Sequence, residues 1–114
     1  MTLELPYPPT VNHYWRHNRG MTHISTAGKA YRANVQAVCK QQRVKILTGR
    51  LEVRIDVYPP DKRRRDLDNV LKSLLDSLAH GGVYEDDSQI DRLDVMRMPS
   101  EKPGKVVVEV EMVG

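Results

Sequence analysis

Apolar and polar positions alternate strictly at residues 51–57. Leu51, Val53, Ile55 and Val57 are interleaved with Glu52, Arg54 and Asp56, which predicts a half-buried strand ended by Pro59 and Pro60. The period then changes. Leu67, Val70, Leu71, Leu74, Leu75 and Leu78 recur at helical spacing, with Asp66 at the N-cap position and Gly81-Gly82 closing the run. A second helix is predicted from a Ser25 or Thr26 cap to about residue 44, its apolar stripe supplied by Ala30, Tyr31, Ala33, Val35, Ala37 and Val38. Residues 1–5 alternate briefly and stop at Pro6, as an edge strand would. Residues 90–97 alternate more weakly. After a Pro103-Gly104 turn, residues 105–113 form a last strand with Val106, Val108, Val110 and Met112 on one face.

Strand, helix, strand, helix, strand, strand is the order of an α/β domain, a mixed sheet with two main helices packed on it. At 114 residues the chain is expected to be one domain, spanning 1–114. Between the first strand and the first helix, residues 6–20 read as a long irregular loop holding Asn12, His13, Tyr14, Trp15, Arg16, His17 and Arg19. Structureless loops of that length in a compact domain tend to be functional or disordered, and aromatic and basic content argues against disorder. Tyr14 and Trp15 are equally readable as a platform for exposed bases and as packing against the domain.

Charge changes this picture locally. Eighteen basic against fifteen acidic side chains leave +3, a mild bias toward anionic partners. The N-terminal half is basic, and Glu85, Asp86, Asp87, Asp91 and Asp94 cluster later. The single cysteine, Cys39, excludes an internal disulfide and fits a reducing compartment. No apolar run reaches the ~20 residues of a membrane span, so no membrane partner is expected.

The stretch D-K-R-R-R-D-L-D-N-V-L-K, residues 61–72, carries the candidate chemistry. At 100° per residue, the apolar positions centre near ~100°, while Asp68, Asn69, Lys72 and Asp76 lie near ~200–300°. Asp66 and Asp68 can therefore meet at the helix start, where the dipole favours negative charge. Taken alone, Asp66 reads more readily as an N-cap, with Asp68 and Lys72 as an i,i+4 pair. A third carboxylate alters the balance. Asp87, with Asp86 beside it, follows a glycine pair that lets the chain reverse, and three oxygen ligands suit Mg²⁺. Lys62, Arg63, Arg64 and Arg65 supply the complement, able to neutralise and grip phosphates. Together these parts describe phosphodiester hydrolysis, with Lys72 orienting water or offsetting charge.

These segments, with LPYPPTVNHYWRHNRGMTHIS before them and GGVYEDDSQI after, resemble the RusA family of Holliday-junction resolvases, in order and spacing, over roughly residues 3–98. The resemblance implies that Asp66, Asp68 and Asp87 are catalytic metal ligands, that Lys72 is also needed, and that Asp86 is an auxiliary. It implies a homodimer that cuts four-way DNA junctions by paired symmetric nicks with Mg²⁺, or Mn²⁺ in its place, in a bacterial or phage-encoded cytoplasmic setting. Arg16 and Arg19, with the basic run, are the expected DNA contacts. A non-catalytic branched-DNA-binding protein is the alternative; it would tolerate loss of the carboxylates.

Overall fold

The computed structural model describes residues 1–18 and 20–114. Strand β1 (Thr2–Pro6) is followed by a one-turn helix α1 (Val11–Tyr14), a hairpin of β2 (Trp15–Asn18) and β3 (Met21–Ile24), and helix α2 (Thr26–Gln41). Strand β4 (Leu51–Tyr58), helix α3 (Asp68–His80), a 3-10 turn (Asp87–Gln89), strand β5 (Ile90–Arg97) and strand β6 (Lys105–Met112) complete the chain.

The main sheet has the order β1-β6-β4-β5, with β1 and β5 at its edges. β6 pairs antiparallel with both β1 and β4, whereas β4 and β5 run parallel. A parallel pair cannot be joined by a tight hairpin and needs a crossover, which α3 supplies. The expected mixed α/β fold is thus borne out, with α2 and α3 on one face. Leu51, Val53, Ile55 and Val57 are buried, as are Val106, Val108 and Val110, and they pack with Tyr31, Val35 and Cys39 of α2 and Leu74 and Leu78 of α3. The predicted β4 alternation is matched residue for residue, while Met112, expected on the inner face of β6, is 60% exposed.

The expectation that fails is the irregular loop at 6–20. Thr10 precedes a helical turn in which the His13 and Tyr14 amides donate to its carbonyl, at 3.0 and 2.9 Å. The chain then enters the β2–β3 ribbon, in register Trp15 with Ile24 and His17 with Thr22. The prolines argue against helix only up to Thr10; beyond it, alternation too short to register in sequence is enough for a two-stranded ribbon. The ribbon is tied down because Ser25 Nα–H donates to the Tyr14 carbonyl at 2.9 Å, and Ser25 Oγ caps α2 by accepting from Gly28 at 3.0 Å. Gly28 is required there, since a Cβ would stand 2.6 Å from the Tyr14 carbonyl oxygen.

Helix α3 also starts later than predicted. Its N-cap position is Leu67, with no side-chain cap, so Asp66 is not the N-cap. Asp66 contributes instead its backbone carbonyl, which accepts from Asn69 Nα–H at 3.3 Å. The buried face is rotated from the leucine arc toward Val70, Ser73, Leu74, Ser77 and Leu78. Two serines are tolerated inside because each is satisfied: Ser73 Oγ donates to the Pro9 carbonyl at 2.6 Å, and Ser77 Oγ lies 3.2 Å from Tyr14 Oη. The N-terminal segment therefore closes over one side of α3.

Candidate active site

The basic run is divided by one carboxylate. Asp61 accepts from Arg63 Nα–H at 2.9 Å and from both terminal nitrogens of Arg65, Nη2 lying at 3.2 Å from Oδ2. The Arg65 guanidinium, then the Arg63 amide, hold the Asp61 carboxyl well below the usual carboxylate range. Arg97 donates to the Arg65 carbonyl at 2.7 Å and braces the same loop. Lys62 and Arg64 are exposed and, among the described residues, form no ion pair. The loop is thus shaped by Asp61, Arg65 and Arg97, and leaves two cations directed at solvent. Arg64, Arg65, Asp66 and Asn69 line one cavity of about 410 Å³ with Tyr7 and Thr10.

Asp66 and Asp68 are exposed at the entry to α3. Among the described residues, neither takes part in a salt bridge, and the i,i+4 pair between Asp68 and Lys72 is not made. These carboxylates are therefore not consumed by local structure.

Asp87 returns along α3. Gly82, at φ +85°, takes the left-handed conformation that the reversal needs. Tyr84 is buried and donates its hydroxyl to the Leu75 carbonyl at 2.6 Å, clamping the returning chain to the middle of α3. Gln89 fixes the far side, accepting from Glu85 and Asp86 amides at 2.9 and 3.1 Å and donating to the Gly49 carbonyl at 3.0 Å. The Asp87 carboxyl is pushed up by burial first, then by the Asp86 and Asp76 carboxylates, and pulled down by Lys72. Asp87, Asp76 and Lys72 thus share one electrostatic neighbourhood. Lys72 stands one helical turn, about 6 Å, along the axis from Asp68. Asp86 caps the 3-10 turn, and the Ser88 amide holds its carboxyl low.

A cluster that the sequence does not announce stands behind this face. Arg32 of α2 donates to Asp76 Oδ2 from Nη2 at 2.8 Å and from Nε at 3.2 Å, and to Tyr14 Oη at 2.7 Å. Tyr14, fully buried, donates its hydroxyl to the same Asp76 oxygen, and burial followed by that carboxylate raises its pKa. The Arg32 guanidinium also lies over the Trp15 ring, 5.8 Å from its centroid, and Trp15 meets Tyr14 edge-to-face at 5.1 Å. Of the two readings of Tyr14-Trp15, packing holds for Tyr14. Asp76 did fall on the polar arc of the helical projection, at Lys72 plus four; Arg32 carried no comparable signal.

Arg16 is exposed on β2, and Arg19 lies outside the described residues. Among the described residues, no three His, Cys, Asp or Glu side chains lie close enough together to hold a metal ion. The donors nevertheless fit a hard divalent cation in kind. Asp66 and Asp68 offer carboxylate oxygens outside any ion pair, and Asp87 has an elevated pKa that a nearby cation would bring down. No helix is long and apolar enough to cross a membrane.

A family profile described as Endodeoxyribonuclease RusA matches residues 6–111. The chain is 41% identical over 114 residues to the crossover junction endodeoxyribonuclease RusA of Escherichia coli (strain K12), covering 99% of this chain and 95% of that one. It is 45% identical over 113 residues to the protein of that name from Enterobacteria phage HK97, covering 96% and 94%. A relative from Shigella sonnei is 42% identical over 114 residues.

Proposed function

The chain belongs to the RusA family of endodeoxyribonucleases, and on that premise we propose that it resolves four-way DNA junctions by paired, symmetric, Mg²⁺-dependent nicks. The observation that carries the reading is the return of Asp87 alongside α3, into the field of Lys72, which itself stands one helical turn from Asp68. A solvated acidic turn would need no such clamp.

Asp66, Asp68 and Asp87 would hold Mg²⁺, or Mn²⁺ in its place, with water completing the shell. Bound there, the metal would polarise the phosphate and lower the pKa of water. The protein's own groups do the rest. Lys62 and Arg64 hold flanking phosphates, and Arg65, oriented by Asp61, presents the loop. Lys72 offsets charge as the water oxygen bonds to phosphorus and one bridging P–O bond breaks. The proton lost by water passes to solvent or a basic group, and the departing alkoxide is protonated. Asp86 serves as an auxiliary by fixing the turn that carries Asp87.

A homodimer accounts for paired cuts. A junction presents two equivalent strands, and a two-fold enzyme presents two sites to them. Bacterial and phage relatives fit a cytoplasmic, bacterial or phage-encoded setting.

The test uses a synthetic four-way junction and a linear duplex, each with Mg²⁺ or EDTA, and repeats with Asp68→Asn. Wild type should nick only the junction, only with metal, at two symmetric positions. Asp68→Asn should bind the junction as tightly or more tightly, because a negative charge near phosphate is gone, and should not cut. Saturating binding by wild type without nicking under Mg²⁺ would return the protein to the non-catalytic reading.

A further inference from the structure

A second cavity, of about 310 Å³, has Lys72 in its wall and shares no residue with the cavity of the basic loop. Val11, Asn12, Trp15, His17, Thr22 and Lys72 line it. Its volume is at the lower end of the about 300–1,000 Å³ of small-molecule sites, which suits one small planar group. The walls are made by α1 and the β2–β3 hairpin, the same elements that closed over α3.

Three features make this a built site rather than a gap. The Trp15 ring is held from behind by Arg32 and Tyr14, and those are anchored on Asp76, so the indole is a fixed platform. The His17 ring is oriented by a 2.9 Å hydrogen bond between Nδ1 and Thr22 Oγ1. Trp15 Nε1 is shielded from solvent and, among the described residues, has no hydrogen-bond partner. Buried indole N–H groups ordinarily find an acceptor.

The occupant is indicated by what stands at the mouth. Lys72 belongs both to this cavity and to the electrostatic neighbourhood of Asp87. A ligand in the cavity is therefore joined, within one side chain, to a phosphate held at the carboxylates. A nucleobase is a planar group tethered to a phosphate. It stacks on indole irrespective of sequence, and its ring edge can meet Asn12, His17 or Thr22. We propose that the Trp15 cavity receives one unstacked nucleobase of the strand held at the carboxylates, and so couples cutting to the open stacking of a branch point. The inference rests on the DNA-junction reading above. It adds a reason for refusing continuous duplex, in which every base is stacked and none can enter.

Trp15 is the only tryptophan, so its emission reports the cavity directly. Full-length protein is titrated in EDTA with a labelled four-way junction, following DNA anisotropy and tryptophan emission together. Junctions carrying a single abasic residue at each position around the crossover are then compared. The expected result is strong quenching by the intact junction, relieved by an abasic residue at one or two positions. Trp15→Ala should lose about 5- to 150-fold in affinity for the intact junction and much less for the abasic one that relieves quenching, while Trp15→Phe, which preserves a stacking ring, should lose less than Trp15→Ala on the intact junction. Saturating anisotropy with the same emission change for every abasic junction would overturn the cavity assignment and leave the nuclease reading standing. No anisotropy change at all would overturn both.

Discussion

Replacing Arg32 by methionine keeps most of the aliphatic stem and removes three hydrogen bonds, two to Asp76 and one to Tyr14 Oη. The side chains of Arg32 and Asp76 retain 21% and 28% exposure. Breaking a fully buried pair from one side costs about 3–5 kcal/mol, and an exposed pair is worth about 0–1. With some three-quarters of each side chain covered, Arg32→Met should cost about 2 kcal/mol, because Tyr14 Oη loses its Arg32 donor and the Asp76 carboxylate is left with the Tyr14 hydroxyl and no cation from α2. Asp76→Asn removes the charge but retains an acceptor, and should cost about 1.5 kcal/mol. The double variant should cost about 1 kcal/mol less than the two single effects together, since each single variant strands the other partner. Urea unfolding measures all four proteins; the midpoints should move with little change in m, because the surface exposed on unfolding is nearly the same. Raising salt to 1 M should leave most of the coupling, as desolvated charges are poorly screened. Additivity within about 0.3 kcal/mol, or single losses under about 0.5, would refute the claim that this cluster binds α2 to α3 and supports Trp15.

Three further outcomes follow from the geometry. The raised Asp87 pKa means that metal-free protein loses stability as pH rises through the folded value, starting above the ordinary aspartate range of about 3.9; Asp87→Asn should flatten the melting temperature of metal-free protein against pH there. Gly28→Ala sets a Cβ 2.6 Å from the Tyr14 carbonyl oxygen and should cost about 1–3 kcal/mol in denaturant melts, detaching the hairpin from α2. Lys62→Ala and Arg64→Ala should each weaken DNA binding uniformly across sequences and reduce the slope of log affinity against log salt by about 1, measured by anisotropy.

The candidate site was legible where its chemistry sits in one contiguous window. Asp66, Asp68 and Lys72 could be phased on α3 because a helix converts sequence spacing into angle. The N-cap role expected of Asp66 failed by one residue: Leu67 holds the N-cap position, and Asp66 supplies its backbone carbonyl, not its side chain, to the helix start. Asp86 looked like a companion of Asp87, yet its hydrogen bonds identify it as the cap of a short turn. Ser73 and Ser77 were invisible as buried residues, since a polar side chain enters a core only when a distant partner satisfies it. Those partners, Pro9 and Tyr14, lie more than sixty residues away along the chain.

By itself, the sequence determined the strands of the sheet, the two main helices, and the concentration of opposite charge at the start of α3. Each of these is a periodicity or a composition carried by neighbours, and burial of one face acts on it locally. Only the tertiary structure decided that residues 6–18 make a turn of helix and the first strand of a hairpin closing over α3. It also decided that Asp87 comes back to Lys72, and that Arg32, Asp76 and Tyr14 converge behind Trp15. Such meetings depend on where the chain is clamped, by Tyr84 on Leu75 and by Ser25 on Tyr14, and no window of sequence contains both sides of a clamp.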